Sequence, residues 1–366
     1  MLKVGMVGVG AISGIYLQNF DQVFKDVKLV AVCDLIRERA ENAQKRYNIP
    51  KLYDTMEELF ADPEIDIVLN LTRPYEHFEV SKGALLAGKH VYSEKPLGAD
   101  WEEGVELVKL AQERGLWLGG APDTFMGAGI QSCRKFIDEG NLGEVIGGRC
   151  IFAYHGHETW HPDPDFYYQR GGGPLMDMGP YYITALINLL GKVKSVYGTS
   201  RTTFKERLIT SQPHDGEIIH VSVPTHYEAL LNFECGATIS MLMSFDMYEN
   251  TQTINLYGTK GNLRVPDPNG FGPRENIRFF DGATQEETGI GYSFDYSENS
   301  RCLGLDDMAA AIEQGRTPRA SYLQTYHVLE VMMGIMKSAE TGAPYVLTTD
   351  FQRQAPMDPS LPRGIL

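Results

Sequence analysis

The first twenty residues constrain this chain more than any other stretch. Residues 2–7 form an apolar run of strand length that passes directly into Gly8-Val9-Gly10-Ala11-Ile12-Ser13, and a helical stretch follows over 11–20. A strand, a two-glycine turn and a helix in immediate succession make a βα unit, which needs parallel partners in the same sheet. The sequence supplies them. Apolar, β-branched runs at 27–33 and 65–71, a short βα unit at 52–60, and strand-like segments at 89–93 and 117–119 alternate with helices beginning near 36 and 78. Such alternation predicts an α/β, doubly wound parallel sheet with right-handed crossovers.

Beyond about residue 122 the rhythm changes. Segments 145–154, 193–203, 226–233, 237–244 and 251–257 are long, β-rich and separated by turn residues, so they predict a second, α+β domain with a large open, mainly antiparallel sheet. Helices near 130–139, 181–190, 305–314 and 321–339 are expected to cover it. The division expected is 1–122, 123–350 and a proline-rich tail at 351–366 lying over the surface. A chain of 366 residues accommodates two cores.

The formal charge of −15 repels phosphate backbones and anionic lipid surfaces, so nucleic acid and membranes are poor partners. A bound dinucleotide is compatible with it, because helix ends and backbone N–H groups supply local positive potential. Five scattered cysteines without a C-x-x-C pair argue against a disulfide framework or zinc ribbon. The segment 1–10 has only Lys3 as a basic flank and ends in a glycine turn, unlike a secretion signal, and no later run is long enough to span a bilayer. A soluble, cytoplasmic protein is expected.

Three motifs carry chemistry. In the first, Gly8 permits a tight turn, Gly10 lets the backbone approach a pyrophosphate, and the helix after Ala11 and Ile12 points its N-terminal N–H groups at the phosphates. Ser13 stands where the usual pattern has a third glycine. Asp34, at the end of the second strand, is placed to accept from ribose hydroxyls and to repel a 2′-phosphate, which favours NAD; Arg37 and Arg39 keep NADP as the alternative. The second motif is Ser93-Glu94-Lys95-Pro96 at the carboxyl end of a strand, where hydride chemistry needs a proton-handling group and a partly desolvated lysine of lowered pKa would serve. A solvated Glu–Lys turn is the competing reading.

The third is Gly171-Gly172-Gly173-Pro174-Leu175-Met176-Asp177-Met178-Gly179-Pro180-Tyr181. Three glycines predict a close approach of the backbone to something. In a helix Asp177 and Tyr181 share a face, and Pro180 should kink that helix or mark its true start. In addition, His155, His157 and His161 have spacing that would allow a metal site. Substrate hydrogen bonding by His157 and His161, with Trp160 as a platform for a ring, is the reading preferred over a metal, and a plain polar surface loop stands beside it as an equal alternative.

Taken together these motifs resemble the Gfo/Idh/MocA oxidoreductases. The resemblance runs along the whole chain through the G-x-G-x-I turn, Asp34, Thr72-Arg73-Pro74-Tyr75-Glu76-His77, Ala87-Gly88-Lys89-His90-Val91-Tyr92-Ser93-Glu94-Lys95-Pro96, Gly140-Asn141-Leu142-Gly143-Glu144-Val145, the glycine–aspartate motif and Tyr326-His327-Val328-Leu329-Glu330. It implies a Rossmann domain followed by an open sheet, with the active site between them. It also implies Lys95 as the catalytic lysine that meets both cofactor and substrate, Asp177 as a substrate- or proton-handling carboxylate, Thr72, His77 and Glu94 near the nicotinamide, and a homodimer or homotetramer formed through the sheet. Many members carry histidine where this chain has Tyr181. That departure resembles glucose–fructose oxidoreductase and the dimeric dihydrodiol dehydrogenases, in which a tyrosine shares the acid/base role. A free phenol titrates near about pH 10, so this role asks for positive charge beside Tyr181.

The expectation is therefore an NAD(P)-dependent dehydrogenase moving a hydride between nicotinamide and a carbinol carbon of a sugar, glycoside or cyclitol, with no metal. Two competing expectations are a redox-neutral glycosidase with retained NAD and a nucleotide-sensing regulator without turnover.

Overall fold

The computed structural model describes residues 1–272, 277–361 and 363–366. Strands β1 (Leu2–Val7), β2 (Val27–Cys33), β3 (Lys51–Leu52), β4 (Ile67–Asn70), β5 (His90–Ser93) and β6 (Leu118–Gly120) form one parallel sheet in the order β3-β2-β1-β4-β5-β6. Helices α1 (Ser13–Gln22), α2 (Arg37–Tyr47), α3 (Met56–Ala61), α4 (His77–Leu86) and α5 (Trp101–Arg114) alternate with the strands. β4 is buried at every position, which is why it reads as an unbroken apolar run rather than an alternation. α3 opens with a capping box between Thr55 and Glu58. α5 adds to the elements expected. Its signals are ordinary ones: the Asp100 side chain accepts from the Glu103 N–H, and Gly115 closes the helix in the left-handed region.

After α6 (Ala128–Asp138) the chain builds a nine-stranded sheet from β7 (Val145–Ala153), β8 (Val193–Arg201), β11 (His226–Phe233), β12 (Thr238–Ser244), β13 (Thr251–Gly258), β14 (Gly261–Val265), β15 (Ile277–Asp281), β16 (Glu287–Ile290) and β17 (Tyr345–Val346). The order is β16-β15-β14-β13-β7-β12-β11-β8-β17, antiparallel except for the β7–β12 pair. A short hairpin, β9 (Glu206–Leu208) with β10 (Ile218–His220), stands apart from it. α7 (Gly173–Leu190) and α9 (Tyr322–Thr341) pack on one face. The strands accordingly alternate, as β11 does from buried to exposed along its length.

Two helices depart from expectation. α7 starts at Gly173, not near residue 181, with Pro174 in its first turn and Pro180 inside it. The first proline suits a helix start, and the second removes one N–H without ending the helix because the segment is locked by burial on nearly every side. α8 (Leu303–Gln314) packs against β2 and β6 of the parallel sheet rather than over the nine-stranded one. Gly119 makes room for it, since a Cβ there would stand 2.3 Å from Met308 Cε and 2.5 Å from the Ala320 carbonyl. α9 touches both sheets, so the two cores are tied through the C-terminal helices. The tail is pinned as well: Met357 N–H donates to Gln131, Gly364 N–H to the Tyr296 hydroxyl, and Phe351 and Leu366 are buried.

Candidate active site

The carboxyl ends of β1 and β4 mark the point where the parallel sheet reverses its winding, the place such sheets reserve for ligands. Gly8 sits there with φ +97°, and a Cβ would come within 2.8 Å of the Leu71 carbonyl. Only glycine fits. A Cβ at Gly10 would meet nothing within 4 Å, so the outer side of the turn is open. Ile12 occupies the N-cap of α1 and no side chain caps the first turn, while Ser13 Oγ bonds back to the Gly10 carbonyl. An open glycine turn before an uncapped helix start fits a dinucleotide pyrophosphate. Asp34 ties this turn to β2, accepting from Val9 N–H at 2.5 Å and Ile36 N–H at 2.7 Å. Arg37 pairs with Glu41 and Asp54.

Thr72 follows β4 and is held by Asn70, whose Oδ1 accepts from the Thr72 hydroxyl at 2.6 Å. His77 is buried with Nδ1 2.8 Å from the Pro96 carbonyl and Nε2 3.1 Å from the Thr72 carbonyl. Burial pushes its pKa down, against the pull of those carbonyls and of Glu94. The ring thus braces the two loops, and both its nitrogens face backbone.

Glu94 and Lys95 do not form the solvated pair that a simple turn would give. Glu94 is buried, accepting from the Tyr16 hydroxyl at 2.8 Å and the Lys95 N–H at 3.1 Å. Lys95 precedes a cis proline and crosses to α7, where Nζ donates to the Asp177 carbonyl at 2.7 Å and to Asp177 Oδ1 at 2.6 Å. Asp177 is the only residue of α7 that is not fully buried. Pro180, which has no N–H for the Met176 carbonyl, perturbs the turn in which Lys95 finds the Asp177 carbonyl. The lowered pKa expected for Lys95 is corrected here. Burial does act to lower it, but Asp177, Tyr181 and Glu94 more than offset this, and the net shift is upward. Lys95 is held as an ammonium.

Tyr181, one turn beyond Asp177, is buried with the Lys95 ammonium 5.2 Å from its ring centre. Arg301, whose guanidinium donates to Asn299 and Asn269, keeps its charge against burial chiefly through Tyr181, with Glu94 and Asp123 adding to it. Two cations, Lys95 and Arg301, are thus electrostatically coupled to Tyr181. Sequence reasoning missed Arg301, because no motif marks it and it lies in a different segment from every other site residue.

The opposite wall is aromatic. His157 stacks on Tyr167 at 3.6 Å between ring centres, lies beside Phe245, and meets the Tyr154 hydroxyl at 2.6 and 2.8 Å from its two nitrogens. Its Nε2 is 3.6 Å from Asp177 Oδ2. Burial drives its pKa down to about 3, although Asp177 pulls the other way. His161 is also lowered by burial, and its Nδ1 accepts from the Asp163 N–H. Trp160 is 58 % exposed at the edge of this wall. His155 points elsewhere, stacking on Tyr248, and among the described residues no three histidine, cysteine or acidic side chains converge as a metal site. Beneath the loop Arg207 binds Glu158 and Asp246, at 2.6 Å to Glu158; Arg207 and Glu158 are buried, and the Asp246 side chain is nearly so. The glycine triplet serves the protein's own backbone: a Cβ on Gly172 would strike the Phe166 and Tyr167 carbonyls at 2.6 Å, and Gly171 and Gly173 both take positive φ.

Residues 2–119 match an oxidoreductase family with an NAD-binding Rossmann fold, and residues 130–264 match the Gfo/Idh/MocA C-terminal domain. The chain belongs to the Gfo/Idh/MocA family. As a Gfo/Idh/MocA protein it is an NAD-binding oxidoreductase. It is 29% identical over 275 residues to a trans-1,2-dihydrobenzene-1,2-diol dehydrogenase from Macaca fuscata fuscata, covering 73% of this chain and 75% of that one. It is 28% identical over 313 residues to a D-xylose 1-dehydrogenase (NADP(+)) from Haloferax volcanii, covering 83% and 87%. In fold it is similar to levoglucosan dehydrogenase in complex with NADH and levoglucosan, with a TM-score of 0.81, 20% identity, and coverage of 95% of this chain and 100% of that one. Among the described residues of this Gfo/Idh/MocA protein, no helix is long and apolar enough to cross a membrane.

Proposed function

We propose that this protein is an NAD-dependent dehydrogenase of ring polyols, oxidising a carbinol carbon of a sugar, glycoside or cyclitol. The observation that carries the reading is the Lys95–Asp177 contact beside Tyr181, facing the aromatic wall of His157 and Trp160. The relatives named for dihydrodiols and xylose support the substrate class.

The bound nicotinamide supplies the acceptor or donor of the hydride. The chain's own residues handle the rest. Lys95, an ammonium with three N–H donors, keeps one for the substrate oxygen while Asp177 holds it in place. Tyr181 takes the hydroxyl proton in the oxidative direction and returns it in the reductive one. His157, neutral because of burial, hydrogen-bonds another ring hydroxyl, His161 does the same nearer the surface, and Trp160 covers the apolar face of the ring. On the cofactor side Gly8, Gly10, Ala11 and Ile12 cradle the pyrophosphate, Asp34 meets the ribose hydroxyls, and Thr72, His77 and Glu94 frame the nicotinamide end. The Asp34 carboxylate at the end of β2, with Arg37 engaged by two acids, favours NAD over NADP.

The domain division we assign is 1–122 and 123–350, with the tail 351–366, and α8 of the second part packs back onto the parallel sheet of the first. Assembly as a homodimer or homotetramer suits the open face of the nine-stranded sheet, where the paired Tyr197 and Leu230 are 40 % and 46 % exposed. Five free thiols suit a reducing cytoplasm.

The test follows NADH absorbance and substrate loss together, with NAD and a panel of free sugars, glycosides, cyclitols and cyclic diols. NADH formed in step with substrate loss, and abolished in Lys95→Met, is the expected result. Glycoside consumed without NADH would replace this reading with redox-neutral cleavage. Tight NADH binding without turnover on any compound would replace it with nucleotide sensing.

A further inference from the structure

Beyond β5 the parallel sheet holds the chain for one more residue: Glu94 N–H still donates to the Asn70 carbonyl, at 2.8 Å. The Lys95 N–H, next in line, goes instead to the Glu94 side chain, 3.1 Å from Oε2. The other oxygen of that carboxylate, Oε1, accepts from the Tyr16 hydroxyl at 2.8 Å. Tyr16 lies one turn into α1, the helix behind the glycine turn, and is fully buried, while Glu94 is 7 % exposed. Burial and then the neighbouring Glu94 push the Tyr16 pKa well above the ordinary phenol value, so the hydroxyl keeps its proton and donates. Two hydrogen bonds in series thus run from the glycine-turn helix to the backbone of Lys95.

A buried carboxylate is costly unless it is hydrogen-bonded or paired. Among the described residues the donors to Glu94 are the Tyr16 hydroxyl and the Lys95 N–H, and no cation stands within ion-pair distance of it. The Lys95 ammonium is turned the other way, onto Asp177. Without the Tyr16 donor, the carboxylate would be anchored only by the N–H it has to hold. The lysine side chain is a flexible four-carbon stem, so the place of its ammonium depends on both of its ends. Asp177 fixes the tip at 2.6 Å, and the Glu94 carboxylate fixes the root. We propose that Tyr16 is the positioning residue of Lys95, acting through Glu94, and that it sets the lysine on the same helix that carries the glycine turn. This rests on the reading that Lys95 meets the substrate oxygen.

The experiment is a substitution cycle on the full-length enzyme with NAD and a substrate found in the panel. Tyr16→Phe removes one oxygen and leaves the ring packed. It should lower kcat by about 10–10²-fold, the scale of a small misplacement of a catalytic group. KM and the NADH dissociation constant should stay within about 3-fold, since no contact to either molecule is removed. NADH should still fill every chain, which excludes an unfolded fraction as the cause. Glu94→Met, which takes the acceptor from the Lys95 N–H, should lose at least as much. Adding Tyr16→Phe to it should cost less than about 3-fold more, because the route through the carboxylate is already broken. Glu94→Gln should recover most of kcat, since its amide oxygen can accept from the Lys95 N–H while its nitrogen donates to the Tyr16 oxygen. A Tyr16→Phe kcat equal to the parent's, losses that multiply in the double variant, a Glu94→Gln as slow as Glu94→Met, or NADH stoichiometry that falls with kcat would each overturn the proposal while leaving the Lys95 reading standing. A fully active Lys95→Met would overturn both.

Discussion

The two walls of the site treat charge in opposite ways. At Lys95 burial works against an ammonium and loses, because a carboxylate lies 2.6 Å away and the pair is sealed together, with side chains 16 % and 12 % exposed. At His157 burial works against an imidazolium and wins, because aromatic rings and a hydroxyl surround it and Asp177 stands a full ångström farther off, at 3.6 Å. One carboxylate serves both walls, and distance decides the outcome. A close partner converts a desolvated group into an ion, and a distant one leaves it neutral. In the reading proposed above, the ionised wall handles protons and the neutral one recognises shape and hydroxyls.

The largest effects should fall on the ionised wall. Asp177→Asn should lower kcat by about 10²–10³-fold, in the range of a lost acid/base contribution. His157→Phe should leave kcat within about 3-fold and appear as a raised KM, the mark of uniform binding. Steady-state kinetics of the two variants side by side would break the comparison if His157→Phe lost kcat as heavily as Asp177→Asn.

The support of the neutral wall should matter next, and through stability. Arg207 is buried with Glu158 and Asp246, so Arg207→Met strands two carboxylates and should cost about 3–5 kcal/mol in urea unfolding. A cost below about 1 kcal/mol would mean that water reaches those acids in the folded state.

Acid sharpens the picture further. The folded-state pKa of His157 is pushed down to about 3 from its ordinary 6.5, so the unfolded chain takes up a proton that the folded one refuses. Stability is complete above about pH 6.5 and drains as pH falls toward 3, by about 2 kcal/mol at pH 5 from this group alone. Unfolding curves at pH 7.5 and pH 5 should therefore differ less for His157→Phe than for the parent. Comparing the difference isolates this residue from His327, which burial also lowers, to about 4.

The smallest effect is expected at Arg73 and Asp163, an exposed pair that joins the loop after β4 to the histidine loop at 2.9 Å. Removing it should change stability by less than about 0.5 kcal/mol, because both side chains are half in water. A larger loss, read by thermal melting in low and high salt, would mean that the two walls are latched together there.

Much of this was written locally. The parallel sheet was legible because its central strands are largely buried, β4 at every position, and alternate with helical stretches, and the glycine turn because φ +97° at Gly8 leaves no other residue type. Lys95, Asp177 and Tyr181 were legible as motif residues. Asp34 was legible from its distance along the chain. The sequence could also say that a helix lies near residues 305–314. It could not say which sheet that helix would cover, since amphipathicity specifies a need for burial and not the surface that meets it. The same limit explains the start of α7 at Gly173: Pro180 breaks a local rule that surrounding packing overrides. The charge states were likewise beyond the sequence. Whether Lys95 is raised or lowered depends on a carboxylate 82 residues away along the chain and 2.6 Å away in space. Arg301 is the extreme case, a lone arginine until folding brings α7, Asn269 and the helix behind the glycine turn around it. Local pattern determined the elements, their order and the chemistry-bearing residue types. Tertiary structure decided which charges meet, because electrostatic energy depends on separation and solvent exposure, and neither is encoded at any single position.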